Sequence, residues 1–284
     1  MSVLLPTDPL SITCDKLRPL GQGAVTFNAN FAPGVGLIEL HHPERHNSLS
    51  GKMMAEFRDI ILRLEQLPND SDMVALIVTG CRGKSFCAGI DLAFAQEYMQ
   101  GSGQAGETVN RFMHDTLTRF ACLPLITVAS MAGAALGGGT EVLTAFDYIC
   151  MDASTFIRFV QTRMGVTSPW GGARRLVSRI GQKHALRILA GAPVVDAVMA
   201  QSVGLVDKVV EKSATKEAAY DACLAACLEF VDSFVVDQKS GGERVSPVAV
   251  RGMKLLMTRS AGSTISDVDY EMFLFNSVVG SSKL

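Results

Sequence analysis

Two stretches of this 284-residue chain combine small residues with groups able to do chemistry. The first, Gly133 to Glu141, reads GAALGGGTE: three consecutive glycines followed by a carboxylate. Glycine lacks Cβ, so such a run lets a ligand approach the backbone and permits turns closed to other residues. After a strand and at the start of a helix, it presents free N–H groups at the positive end of the helix dipole, which is an anion or oxyanion site. A small-residue helix packed tightly on its neighbour would account for the same run.

The second stretch is GKSFCAGIDL, Gly83 to Leu92. Here Ala88 and Gly89 again permit close approach, and Ile90 offers its backbone N–H at a strand-to-helix corner. Two such corners at the ends of neighbouring strands could hold two N–H donors on one oxygen, the geometry of an oxyanion hole. Nucleotide binding fits neither stretch. GAALGGGTE does not keep the G-x-G-x-x-G register, and GKS at Gly83 to Ser85 lacks the preceding glycine of a phosphate loop.

The elements that must position these corners are legible in the hydrophobic pattern. Gly36 to His41 (GLIELH) alternates as a strand does, and Lys52 to Leu67 carries apolar residues at helical spacing. Met73 to Gly80 (MVALIVTG) is a continuous, largely β-branched run ended by glycine, as in a strand buried on both faces. The pattern recurs: a helix around Asn110 to Phe120, a strand in Pro124 to Gly133, a small-residue helix after Gly137, and a strand in Phe146 to Asp152. Alternation of this kind predicts an α/β fold with a mostly parallel sheet covered on both sides. Short strands are expected at Phe156 to Val160 and Gly204 to Val210, and mainly helix from about Gln182, with a loop at Gln238 to Glu243. The organisation predicted is an N-terminal extension over 1–33, a β/α core over 34–210 and a helical C-terminal region over 211–284.

Composition narrows the ligand classes. The chain is 48% hydrophobic and 19% charged with a net charge of −2, and its Lys and Arg residues are scattered, so no footprint for nucleic acid or an anionic membrane appears. Small neutral or acidic ligands remain. Seven cysteines without a CxxC pair read as reduced, mostly buried thiols; Cys223 and Cys227, four apart, share a helical face. No apolar run reaches the roughly 18 to 20 residues of a membrane span. His41, His42 and His46 cluster near the end of the first strand, where solvated or capping roles are expected rather than a metal site. The last residues, Ser282, Lys283 and Leu284, form a tripeptide read as a peroxisomal address, the alternative location being the cytoplasm.

With these segments in view, the chain resembles the crotonase (enoyl-CoA hydratase/isomerase) superfamily. HHPERHNSLS resembles its early N-P-x-x-x-N-[AS] element, KSFCAGIDL its first oxyanion loop and GAALGGGTEV its second; SPWGGARRL and the segment Gly181 to Val210 follow in the family's order. The similarity covers roughly residues 34–258. It implies a spiral of β-β-α units (the ClpP/crotonase fold), assembly as a homotrimer or a pair of trimers, and an acyl-CoA thioester as ligand, with coenzyme A part of the substrate and no other cofactor. It also implies that Ile90 and Gly138 are the oxyanion donors, with Ala88, Gly89 and Gly137 lining the thioester.

Side chains then select the reaction. Family hydratases carry two glutamates; the first is matched by Glu141, whereas Gln161 stands where the second would be. A neutral amide is not a general acid or base near pH 7, so hydration loses a partner. The string FMHDTLTRF, Arg158 and SPWGG resemble the ethylmalonyl-CoA decarboxylase branch most closely. That resemblance implies loss of CO₂ to form an enolate and delivery of one proton by Glu141, with Gln161 or Arg158 orienting the substrate's free carboxylate. Enoyl-CoA isomerase or hydratase activity, and an idle acyl-CoA-binding protein, are the alternatives. Asp91 is expected to contact substrate or to cap the next helix, Trp170 to pack the pocket's rim, and Met253 to Arg259 to lie near the ligand.

Overall fold

Each strand-rich unit of the chain divides between two sheets. In the computed structural model, which describes residues 4–82, 85–99, 103–237, 242–258, 270, 272 and 273, β3 (Ala75–Gly80) is followed by β4 (Ser85–Cys87). In the same way β5 (Ile126–Met131) is followed by β6 (Ala134–Leu136), and β7 (Tyr148–Asp152) by β8 (Phe156–Arg158). The first strand of each pair enters a six-stranded sheet with order β1-β2-β3-β5-β7-β10, where β1 is Ala24–Ala32, β2 Val35–His41 and β10 Lys208–Val210. The second enters a four-stranded sheet, β4-β6-β8-β9, closed by β9 (Val195–Asp196). Helices follow the pairs, so the repeated unit is β-β-α, and every pairing from β2 to β10 in the larger sheet is parallel.

This arrangement explains what the hydrophobic pattern showed and what it hid. The long strands β3, β5 and β7 are apolar on both faces because both are covered. On one face Ala75, Ile77, Val128 and Cys150 meet Tyr220, Leu224, Cys227 and Val231 of α8 (Lys216–Val235). On the other, Leu76, Val78, Ala129, Met131, Ile149 and Met151 join the main core with α2 (Gly51–Glu65) and α4 (Gly103–Ala121). The strands β4 and β6 have three residues each, too few for any periodicity, and the glycine-rich stretches conceal them.

The N-terminal part enters the sheet. The strand β1 pairs antiparallel with β2 from Ala24↔His41 to Ala32↔Val35, so a boundary at residue 33 falls in the turn of a hairpin. Before it, α1 (Leu10–Leu17) buries Thr13, Cys14 and Leu17. Toward the other end, α6 (Gly172–Gly191) begins ten residues before the helical region predicted from Gln182 and has a non-helical residue at Gly181 (φ 75°, ψ 158°). The helix α9 (Pro247–Thr258) is pinned beneath the sheet by two buried cations. Arg251 donates to the carbonyls of Asn69, Ser71 and Met73, and Lys254 pairs with Asp147. Arg259 and the terminal Ser282-Lys283-Leu284 lie outside the described residues, as does most of the expected loop at Gln238 to Glu243.

A chain of aromatic rings ties the core to the first glycine loop. Phe57 of α2 contacts Phe120 of α4 (centroids 5.6 Å apart), Phe120 contacts Phe146 (4.9 Å), and Phe146 contacts Phe86 of β4 (6.3 Å). The last two pairs are edge-to-face and the first is tilted, geometries that set distance and angle together, so the strand feeding the loop rests on a stiff base.

Candidate active site

The two glycine corners meet at the ends of β4 and β6. Gly89 has φ +91°, and a Cβ there would stand 2.7 Å from the Gly138 nitrogen, so only glycine lets the loops touch. Neither the Ile90 N–H nor the Gly138 N–H has a protein acceptor among the described residues. On either side of Ile90 the backbone is occupied: Leu49 N–H donates to Gly89 O (2.7 Å) and Asp91 N–H to Leu49 O (2.9 Å). The first donor is thereby held in place while its own hydrogen stays free.

The support comes from the HNSLS segment. Ala88 N–H donates to His46 O (3.1 Å), while the buried Asn47 side chain donates to Ser85 O (2.8 Å) and accepts from His42 N–H (2.9 Å). His46 and Asn47 both take left-handed backbone angles, φ 56° and 54°. His42 Nδ1 contacts Ser48 O, and no group of three or more potential metal ligands occurs among the described residues. Asp91 is a helix cap: its Oδ1 accepts from Phe94 N–H (2.8 Å) at the start of α3 (Leu92–Tyr98), and its Oδ2 from the Ser48 hydroxyl (3.1 Å).

The second donor opens α5 (Gly138–Leu143). With six residues this helix has little dipole to offer, so the individual N–H group carries the interaction. Gly137, at φ 51° and ψ −122°, makes the turn. The neighbouring glycines answer to packing: a Cβ on Gly138 would lie 2.5 Å from the Trp170 ring, and one on Gly139 would strike the Cys87 carbonyl. Protein atoms, not an expected thioester, fill the space that those side chains would take. Trp170 is 3% exposed, so it packs in the interior against Gly138 and not on a rim; its Nε1 donates to Asn110 Oδ1 (3.0 Å).

Glu141 lies one turn into α5 and is 1% exposed. Its Oε2 accepts from the Ser168 hydroxyl (2.6 Å), Trp170 N–H (2.8 Å) and Gly172 N–H (3.2 Å). Its Oε1 has one neighbour, Gln161 Nε2 at 3.4 Å, which also donates to Gly137 O at 3.1 Å. Three donors occupy Oε2, so Oε1 is the oxygen with capacity for a further hydrogen-bond partner. Arg175 braces the same turn, donating to Trp170 O (2.7 Å), Glu141 O (3.3 Å) and Thr144 Oγ1 (3.2 Å). Burial pulls its guanidinium down to about 10, and the Glu141 charge offsets part of that.

Thus Glu141, Gln161, Gly137, Gly138, Gly89, Ala88, Ile90 and Trp170 converge, and two predicted residues do not. Asp91 is turned into its cap, and Arg158 donates from Nε to Ala192 O (3.1 Å), away from Glu141, serving the site only through its carbonyl, which accepts from Gly137 N–H (3.3 Å). Gln161 has spent both amide hydrogens, leaving it none for a substrate carboxylate. Ser168, Arg175, Asn47 and Thr140 were not singled out. Ser168 and Arg175 lie in SPWGGARRL, where a serine and tight glycines beside a lone tryptophan were the available signal.

Residues 30–231 match the sequence profile described as enoyl-CoA hydratase/isomerase. The chain belongs to that family. Among relatives of the family, the ethylmalonyl-CoA decarboxylase of Bos taurus is 39% identical over 198 residues, 70% of this chain and 62% of that protein. The Homo sapiens enzyme of the same name is 41% identical over 180 residues, 63% of this chain and 57% of that protein. The aligned part therefore spans less than two thirds of these relatives. In fold, the family's enoyl-CoA hydratase from Bacillus anthracis superposes with a TM-score of 0.73 at 23% identity, over 91% of this chain and 92% of that one. An enoyl-CoA hydratase/isomerase from Marinobacter aquaeolei gives 0.74 at 22%, over 92% of each. The crotonase spiral expected from the family resemblance is the fold observed.

Proposed function

We propose that this protein decarboxylates a short malonyl-type CoA thioester, of the ethylmalonyl or methylmalonyl kind, through a thioester enolate. The observation carrying this reading is the pairing of two N–H groups without a protein acceptor among the described residues, on Ile90 and Gly138, with the buried Glu141 carboxylate, whose Oε1 faces an amide and not a second carboxylate. The thioester oxygen would accept from both N–H groups. As the bond from the α-carbon to the carboxylate breaks, CO₂ leaves and the electron pair passes into the enolate, whose charge develops on that oxygen. Glu141 Oε1 would then deliver a proton to the α-carbon and recover one from water. Each donor in such sites typically lowers the barrier by about 3 to 4 kcal/mol. No base is needed before CO₂ leaves, which suits a site lacking a second carboxylate. The names of the 39–41% identical relatives support the same substrate class.

Incubation with ethylmalonyl-CoA, methylmalonyl-CoA, crotonyl-CoA and a 3-enoyl-CoA, with products followed by mass, tests the proposal. CO₂ loss from the first two, without hydration of crotonyl-CoA, is expected; fast hydration or double-bond migration as the main reaction overturns it, as does binding without turnover. A homotrimer or pair of trimers is proposed from the family resemblance, and exposed Val198, Met253 and Met257 are apolar surface that an assembly could cover. Sedimentation equilibrium showing only the 30.4 kDa chain would exclude it. Where Ser282-Lys283-Leu284 stands at a free C-terminus we propose peroxisomal import, to be checked by imaging a fluorescent fusion with and without Leu284.

A further inference from the structure

The peptide joining Gly137 to Gly138 has opposite duties at its two ends. Its N–H is the second oxyanion donor. Its carbonyl, which a trans peptide points the other way, accepts from the Thr140 hydroxyl (2.6 Å), Thr140 N–H (3.0 Å) and Gln161 Nε2 (3.1 Å). Gly137 sits at φ 51°, ψ −122°, a conformation with no side chain to restrain it. Half a turn of that peptide would put a carbonyl oxygen where the donor should be, and the oxyanion would meet repulsion instead of attraction. The Thr140 contacts come from the same helical turn and would move with it. Gln161 is 24 residues further along the chain, so its hydrogen bond is the one that ties the peptide to a different part of the fold.

The same amide gives its other hydrogen to Glu141 Oε1 at 3.4 Å. Its orientation follows from its neighbours: two acceptors face Nε2, and reversing the amide would set oxygen against both. In this orientation Gln161 Oε1 is buried and unpartnered, while the residue as a whole is 7% exposed. A buried polar atom without a partner is costly, so the two contacts on the nitrogen side must dominate the placement.

We infer that Gln161 is a positioning residue that holds the 137–138 peptide in its donor orientation and, with the same amide, fixes the proton-exchanging oxygen of Glu141. It then stands at this position for what its NH₂ group donates. It is not merely the remnant of a lost carboxylate. A glutamate there would face the Gly137 carbonyl and Glu141 as acceptor against acceptor, so Gln161→Glu weakens the oxyanion hole and does not create a two-carboxylate hydratase. This inference rests on the acyl-CoA reading above.

The test is the carbonyl stretch of bound butyryl-CoA carrying ¹³C at the thioester carbon, followed by difference infrared spectroscopy. Wild type should show a band shifted to low frequency by two N–H donors. Gln161→Met and Gln161→Glu should lose a large part of that shift and, with the malonyl-type substrate, reduce kcat by roughly 10- to 100-fold with little change in KM. Thr140→Ser, which keeps the hydroxyl on Gly137 O, should retain the shift, and circular dichroism of each variant confirms that it is folded. Full retention of the shift in both Gln161 variants overturns the inference while leaving the acyl-CoA reading intact. Hydration of crotonyl-CoA by Gln161→Glu with an undiminished shift also overturns it. An unshifted band in wild type removes the acyl-CoA reading itself.

Discussion

Glu141 has its two carboxylate oxygens in unlike surroundings, Oε2 among three donors and Oε1 beside Gln161 alone. Because Ser168, Trp170 and Gly172 all donate to Oε2, replacing the carboxylate by an amide sets an NH₂ or a lone oxygen among those donors. Glu141→Gln should lower kcat for decarboxylation by about 10²- to 10⁴-fold, as loss of a proton-transfer group does, while affinity for butyryl-CoA, measured by calorimetry, stays within a few fold. Unchanged turnover would remove Glu141 from the mechanism. A second residue-scale outcome concerns the close approach of Trp170 to Gly138. Gly138→Ala should abolish turnover and lower Tm, and pairing it with Trp170→Leu, which opens space for the methyl, should recover part of the lost Tm. At this scale the two glycine corners and Glu141, which the structure brings together, were legible because glycine runs and a following carboxylate are local features. The sequence hid Ser168, Arg175 and Asn47, each of which has a partner 27 to 38 residues away that it meets only once the spiral brings strand ends together.

Among the elements, α2 and α4 are locked by a charged cluster beside the aromatic chain. The buried Arg58 pairs with Asp115 (2.7 Å), donates to Thr116 Oγ1 (2.9 Å) and lies over the Phe112 ring, while Arg119 bridges Asp115 and Glu65. Burial pulls the Asp115 carboxyl upward, but hydrogen bonds from Arg58 and Arg119 outweigh it and hold the group below its ordinary 3.8. A carboxyl depressed in the folded state contributes stability above its unfolded value and loses it as pH falls through the folded one. Tm should therefore drop as pH falls below the ordinary carboxylate range by more in wild type than in Asp115→Asn, measured by calorimetry; equal slopes would show that the cluster is electrostatically idle. The long elements were legible because their apolar residues repeat. The three-residue strands β4 and β6 were not, since their existence depends on pairing with one another across the chain, whereas β8 falls within the short strand expected at Phe156 to Val160.

Over the whole molecule, the larger sheet separates two cores with different duties. The face toward α2 and α4 carries the aromatic chain leading to the glycine loop, whereas the face toward α8 is remote from Glu141 in its packing. Leu224→Ala on α8 should cost about 2 to 4 kcal/mol in denaturant unfolding while kcat per folded molecule is preserved, because the cavity opens on the face away from the site. A matching fall in kcat would mean the sheet transmits strain between its faces. Parallel architecture and the covered sheet were readable from alternation of strand and helix. The hairpin of β1 with β2 was not read, although Pro33-Gly34 forms its turn, because β1 lies at the sheet edge and buries only Val25 fully, which leaves its apolar signal weak.

The cysteines, spread over this architecture, differ sharply in access. Cys14, Cys81, Cys87, Cys150, Cys223 and Cys227 are buried, and burial pushes the Cys87 and Cys223 thiols up to about 12, so little thiolate forms at neutral pH. Cys122 alone is exposed, and its sulfur lies 4.0 Å from the carbonyl of Thr258, the last residue of α9. The native chain thus carries a built-in labelling position: a maleimide dye at neutral pH should attach chiefly at Cys122, and its emission would report undocking of α9 without any engineered cysteine.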